Sequence, residues 1–250
     1  MEKTFIITGA SSDVGLAFLQ RLQKNCQMNN STCNVIAQYH SSAIKLEQLK
    51  EKSPNLNITL YRCDLAQLDK AELWGSNLKS EGLEPTHILH LAAPRFSYMR
   101  IKNFEWQKMQ QEINVNAGAL AVLLQKFLPL MAKKKYGRVL AMLTSYTINV
   151  PPKFMCDYIM AKYALLGLVR AAAAEYAGKG ITVNGISPNM METKFLADVD
   201  RLTITMNAEN SAMKRNIAIE EVCAAMEYLL SDAAGYVNGI NLNLSGGDRM

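Results

Sequence analysis

The sequence predicts an α/β fold: a doubly wound, mostly parallel sheet with helices on both faces. Three observations carry this. Strand-like apolar runs alternate with helix-length segments from Thr4 onward. Most runs are apolar throughout rather than at every second residue, as strands covered on both faces must be. The first run also ends in a turn of small residues, Thr8 to Gly15, that leads straight into a helix.

Seven runs read as strands: Phe5–Thr8, Val35–Tyr39, Ile58–Tyr61, Ile88–Ala92, Val139–Thr144, Thr182–Ile186 and Ile240–Leu244. Right-handed β-α-β crossovers join such strands into a doubly wound sheet. Lys24–Asn34 is rich in Asn, Gln and Ser and reads as a surface loop before the second strand. A long helix is expected from near Phe104 to Lys133-Lys134-Lys135, where the cations suit a helix C-terminus. Another is expected from near Asp157. The 250 residues show no linker, so residues 1–250 are read as one domain.

Composition narrows the function classes. Apolar residues make up 49% and charged residues 20%, an ordinary globular balance. The net charge of +5 is mild and its lysines and arginines are scattered, so no nucleic-acid partner is expected. A basic n-region followed by an apolar h-region is absent, and no apolar run reaches membrane-spanning length. The expectation is a cytoplasmic protein without a membrane partner. Five cysteines without a CxxC pair suit reduced thiols. His40, His87 and His90 match no metal-ligand motif, so no metal is expected.

The turn Thr8-Gly9-Ala10-Ser11-Ser12-Asp13-Val14-Gly15 is built for a nucleotide. Small residues let the backbone approach a pyrophosphate, and the helix N-terminus offers free N–H groups. Asp13 breaks the pattern with a carboxylate that would repel phosphate; it either turns outward or caps the first helical turn. The second strand ends Gln38-Tyr39-His40-Ser41-Ser42. No acid stands there to hold a ribose 2′-hydroxyl, and His40, Ser41 and Ser42 can hydrogen-bond a 2′-phosphate. NADPH is therefore expected, with NADH kept open by the missing arginine. Tyr158 and Lys162 form Y-x-x-x-K, which puts both on one side of a helix. An ammonium beside a phenol favours the phenolate, so Lys162 is expected to lower the pKa of Tyr158.

These motifs, in order, resemble the classical short-chain dehydrogenases/reductases, and within them the 3-oxoacyl-acyl-carrier-protein reductases. The turn resembles that family's T-G-x-x-x-G-x-G. Gly137 to Ser145 resembles its fifth strand and catalytic serine. Asn116 of Asn114-Val115-Asn116 matches its active-site asparagine. Val183 to Asn189 resembles its sixth strand and turn, with Asn189 at a usual glycine. The resemblance spans Thr8 to Gly247. It implies a Rossmann-type sheet of seven strands in the order 3-2-1-4-5-6-7.

Site roles follow from the same resemblance. Gly9, Ser11, Ser12, Val14 and Gly15 would face the cofactor, Asp64 and Leu65 its adenine, Ala92 and Ala93 its ribose, and Pro188 and Thr193 its nicotinamide. Ser145 and Tyr158 would hold a substrate carbonyl, with Tyr158 as proton donor. Lys162 would acidify the phenol and hold the nicotinamide ribose, and Asn116 would anchor a water that resupplies the proton. The segment His90-Leu91-Ala92-Ala93 keeps only Ala92 of the family's Asn-Asn-Ala-Gly. His90 reads as a packed strand-end residue.

The implied activity is reduction of an apolar or acyl-carrier-bound ketone. A lid over about residues 190–215 is rich in apolar side chains: Met190, Met191, Phe195, Leu196, Leu202, Met206 and Met213. The Tyr39–Ser42 segment also resembles pteridine reductases, a second substrate option. Asp13, the altered His90–Ala93 segment and Asn189 leave room for a cofactor-binding regulator. A homo-oligomer, dimer or tetramer, is expected through the two long helices.

Overall fold

Residues 2–249 are described by the computed structural model. Seven strands occur among them: β1 (Lys3–Thr8), β2 (Cys33–Tyr39), β3 (Leu56–Arg62), β4 (His87–His90), β5 (Gly137–Met142), β6 (Ile181–Pro188) and β7 (Asn241–Leu244). They form one sheet in the order β3-β2-β1-β4-β5-β6-β7, every pairing parallel. The order reverses between β1 and β4, which opens a crevice at the C-terminal ends of those strands.

Alternation along β1 shows how the two faces are filled. Ile6 joins a core with Trp74, Leu120, Leu123, Phe127, Leu165 and Val169. Its neighbours Phe5 and Ile7 join the opposite core with Phe18, Leu19, Leu46, Val222 and Met226. One face is thus covered by α3 (Leu68–Ser80), α5 (Ala119–Lys134) and α6 (Cys156–Glu175). The other is covered by α1 (Asp13–Met28), α2 (Ile44–Glu51) and α8 (Ile219–Leu230). Each fully buried large apolar side chain contributes about 1.5–3 kcal/mol relative to exposure.

Several boundaries differ from the sequence reading. The Lys24–Asn34 loop shrinks, because α1 runs on to Met28 and β2 starts at Cys33. Cys26 and Cys33 are buried together, with sulfurs 3.2 Å apart, and that contact holds the helix end against the strand. The long helix starts at Trp106 rather than near Phe104. It consists of α4 (Trp106–Ile113), a π turn at Asn114–Gly118, and α5.

The stretch Trp106–Lys134 is also long and apolar enough to cross a membrane by length and composition, contrary to the sequence reading. Its Leu120, Leu123, Phe127 and Met131 are buried in the core, which accounts for that apolarity. Although Asn189 stands where the family usually has glycine, its backbone is not left-handed. Among described non-glycine residues that conformation occurs at Asn30, Lys135, Phe154 and Lys214. Asn189 instead donates to the Asp248 carboxylate.

Candidate active site

A cavity of about 680 Å³ lies over the C-terminal ends of the central strands. The glycine turn forms its floor. Gly9 has φ +65°, and a Cβ there would lie 2.8 Å from the Ala92 backbone nitrogen. Only glycine lets β1 and β4 approach so closely. Gln38 locks this turn: its Oε1 accepts from Gly9 N–H at 2.8 Å and its Nε2 donates to the Cys63 carbonyl. Ser12 caps α1, its hydroxyl accepting from Gly15 N–H at 3.1 Å.

Asp13 neither caps that helix nor points to bulk water. Its carboxylate accepts the Lys194 N–H at 2.8 Å and lies 3.9 Å from the Lys45 ammonium. It therefore ties the phosphate turn to the lid segment.

Most of the expected residues converge. Gly9, Ser11, Ser12, Val14 and His40 line the cavity. So do Asp64, Leu65, Ala92, Ala93, Pro188 and Thr193, and at its far end Ser145, Tyr158 and Lys162. Four do not line it. Gly15 sits beneath the turn, packed on Ala10. Ser41 and Ser42 are exposed beyond the rim. Asn116 is fully buried behind the wall. Asp64 is no helix cap: it holds the turn before α3, accepting from Ala66 N–H and Gln67 Nε2.

Tyr158 and Lys162 share a face of α6 as their spacing requires. The Lys162 ammonium donates to the Met142 carbonyl at 2.8 Å and lies 5.8 Å from the Tyr158 ring centroid. The expected acidification of the phenol is not found. Loss of hydration pushes the Tyr158 pKa up, and a hydrogen bond with Thr144 opposes this only in part. The same burial pushes Lys162 down to about 8. Removal from water dominates, so Tyr158 is held protonated.

Aromatic packing fixes the ring. Phe96 meets Tyr158 edge-on at 5.5 Å, and Phe195 lies 6.1 Å away. Phe96, Met155, Leu196, Val199 and Ile204 form an apolar cluster against it. Of the lid side chains, Met190, Met191, Phe195 and Leu196 line the cavity. Leu202 and Met206, on α7 (Arg201–Asn210), and Met213, in the turn beyond it, are exposed instead.

His90 is buried, as its strand-end reading requires. Its Nε2 faces the Asn116 carbonyl at 2.8 Å and its Nδ1 faces the Thr8 hydroxyl at 2.8 Å. A carbonyl only accepts, so Nε2 carries the proton and Nδ1 accepts from Thr8. The Asn116 carbonyl is therefore an acceptor for His90.

Sequence reasoning missed Gln38, Arg62, Glu112 and Asp157. Arg62 ends β3 in register with Tyr39 and donates through Nε to the His40 carbonyl. Glu112 carried a signal, being one helical turn before Asn116.

Buried His87 and His90 are pushed down to about 3 and about 4 by burial. Glu112 is pushed up to about 7, first by burial and then by the Asp157 charge. Between about pH 6.5 and 4.5 the unfolded chain binds two more protons at the histidines and one fewer at Glu112. Stability should then fall by about 1.4 kcal/mol per pH unit on acidification. Urea midpoints across that range measure it, and Glu112→Gln should steepen the fall. A flat profile would show that these groups do not titrate as their burial requires.

A family model described as Enoyl-(Acyl carrier protein) reductase matches residues 25–248. Acetoacetyl-CoA reductase of Allochromatium vinosum is 27% identical over 257 residues, covering 99% of this chain and 98% of its own. The 3-oxoacyl-[acyl-carrier-protein] reductase of Buchnera aphidicola is 32% identical over 151 residues, covering 60% of this chain and 59% of its own. A solved 3-oxoacyl (acyl-carrier-protein) reductase of Agrobacterium tumefaciens with NADP bound superposes with a TM-score of 0.86. Its identity is 21%, and 98% and 93% of the two chains are covered, so it bears on fold alone. With the sheet order, the glycine turn and the matched model in agreement, the chain is an oxidoreductase of the short-chain dehydrogenase/reductase family.

Proposed function

We propose that this protein reduces a ketone to a secondary alcohol with NADPH, Tyr158 being the proton donor. The observation that carries the reading is the convergence of Ser145, Tyr158 and Lys162 with the glycine turn on one cavity. The residues fit a dinucleotide, since the floor is a turn of small residues at the N-terminus of α1, where Gly9, Ser11, Ser12 and Val14 all line the cavity. Gly9, Ser11, Ser12 and Val14 would hold the pyrophosphate, Asp64 and Leu65 the adenine, Ala92 and Ala93 the ribose, and Pro188 and Thr193 the nicotinamide end. When bound, the nicotinamide supplies the hydride.

The chain supplies the rest. Ser145 and Tyr158 hold the carbonyl oxygen and polarise it. Tyr158, kept protonated by burial, gives its proton to the forming alkoxide. Lys162 returns a proton to Tyr158 and positions the ribose. Phe96, Met155, Phe195 and Leu196 make an apolar, water-excluding wall, which suits an acyl chain or ring. The relatives' printed names point to 3-oxoacyl and acetoacetyl thioesters as the substrate class. The segment over about residues 190–215 would act as the lid. Exposed Trp106, Met160 and Tyr163 on α4 and α6 suit pairing with a second copy.

The preference for NADPH rests on Arg62 with His40, Ser41 and Ser42 at the end of β2 and β3. A guanidinium there offers a 2′-phosphate charge-assisted hydrogen bonds. Arg62→Ala should weaken NADPH binding about five- to tenfold and leave NADH binding unchanged. Titrations followed by nicotinamide fluorescence test this, and equal loss for both cofactors would refute the assignment. The Asp13–Lys194 tie favours a second reading, a cofactor-binding regulator whose lid is held by the phosphate turn. Tight cofactor binding without turnover across a panel of ketones would favour it.

A further inference from the structure

A carboxyl group that the reaction scheme does not use lines the same cavity. Glu112 is the penultimate residue of α4, one turn before Asn116, which the following π turn carries. Asn116 Nδ2 donates to the Glu112 carboxylate at 3.2 Å and to its backbone carbonyl at 2.9 Å. The Asn116 Oδ1 is buried without a partner among the described residues, so the amide keeps an acceptor in reserve for an O–H beside it. A π turn at such a place shifts side chains off the regular helical register, and these turns gather at functional sites.

Lys162 has a topological difficulty that Glu112 resolves. Only 3% of Lys162 is exposed, so its exchange with bulk water is restricted and a better-exposed group on the cavity wall would speed it. Asn116, expected to anchor a relay water, is fully buried behind the cavity wall, and its carbonyl already accepts from His90. Glu112 is half-buried, more exposed than Lys162, and lines the same cavity.

We propose that Glu112 relays protons between solvent and Lys162, in place of a water anchored at Asn116. The inference rests on the ketoreductase reading and gives its proton a route. In reduction the Tyr158 O–H breaks as the alkoxide O–H forms. A Lys162 N–H breaks as the Tyr158 O–H re-forms. The Glu112 O–H breaks as the Lys162 N–H re-forms, and Glu112 takes a proton from water. Each transfer is direct or crosses a water, and the sum is one proton from solvent per turnover. Glu112 acts through Lys162 and touches no substrate.

The groups facing Glu112 set its charge. Asp157, Tyr158 and Lys162 approach from α6; Lys108, on its own helix, lines the same cavity but pairs its ammonium with Glu105. His90 of β4 reaches it through Asn116, and Tyr146 faces Tyr158 beyond. Asp157 is 3% exposed, and its Oδ1 accepts the Tyr158 N–H at 2.8 Å. Its negative charge favours a proton on Glu112, while Lys162 favours its loss. A group balanced in this way near neutrality passes protons in both directions.

The test uses the full chain and two readouts. In ¹³C-glutamate-labelled protein without cofactor, one carboxyl resonance should titrate near neutrality. It should be absent from Glu112→Gln and move to higher pH in Lys162→Met. A Glu112 resonance that titrates like an exposed glutamate, or ignores Lys162→Met, overturns the coupling.

In turnover with NADPH, Glu112→Gln should lower kcat about tenfold with KM unchanged, and flatten the limb of the pH profile near neutrality. Glu112→Asp, which keeps a carboxyl, should recover part of the rate. If the Glu112→Gln rate and profile are unchanged while Tyr158→Phe is inactive, the relay is overturned and the ketoreductase reading stands. If the unaltered protein turns over no ketone, the ketoreductase reading falls, and the resonance alone then decides whether Glu112 and Lys162 share a proton.

Discussion

Tyr158→Phe is expected to lower kcat about a hundred- to ten-thousand-fold, the range that a positioned general acid contributes. The substitution removes one oxygen and little else. The ring keeps its packing against Phe96 and Phe195, so folding and the cavity should survive. Cofactor affinity should therefore change little, and the loss should fall on kcat. The direction of the Tyr158 shift adds a second expectation. Burial holds the phenol protonated, the form a reduction needs, so the reductive rate should not decline as pH rises through neutrality for want of this proton. Steady-state rates with NADPH and a 3-oxoacyl thioester, beside a fluorescence titration of cofactor, measure both effects. Near-normal turnover in Tyr158→Phe would remove Tyr158 from the mechanism.

Gly15→Ala is expected to damage the cofactor site at its base. An added Cβ would stand 2.6 Å from the Ala10 carbonyl oxygen and 2.8 Å from the Gly9 oxygen, both backbone atoms. No side chain can move aside, so the turn itself must shift. Overpacking of this kind costs about 1–3 kcal/mol, and alanine's better helix propensity returns about 1 kcal/mol. For a chain of this size each kcal/mol lowers Tm by about 2–4 °C. The larger effect should be on binding, because the displaced N–H groups are those that would face the pyrophosphate. NADPH affinity should drop tenfold or more, and calorimetry on the folded variant would show it. Unchanged affinity would mean that the phosphates bind elsewhere.

Much of this was legible in the residue order. The apolar runs marked the seven strands because a parallel sheet buries both faces, and that constraint is written locally. Tyr158 and Lys162 were legible as a pair because helical spacing alone puts i and i+4 together. Helix ends were less legible. Polar residues between Lys24 and Asn34 suggested a loop, yet Cys26 had a buried partner in Cys33 that only the folded chain brings near.

The sequence by itself determined the sheet, the glycine turn and the identity of the chemical groups at the far end of the cavity. Tertiary structure alone decided their electrostatics and their company. The Tyr158 pKa moved opposite to the local expectation because desolvation depends on everything packed around the ring, and spacing along one helix carries no record of that. Asp13 found the Lys194 N–H, 181 residues away, and Arg62 found the end of β2 through strand register. Glu112 faced Lys162 only once α4 had packed against α6. Local pattern specifies periodicity and turns, whereas burial and long-range pairing arise from contacts between segments far apart in the chain.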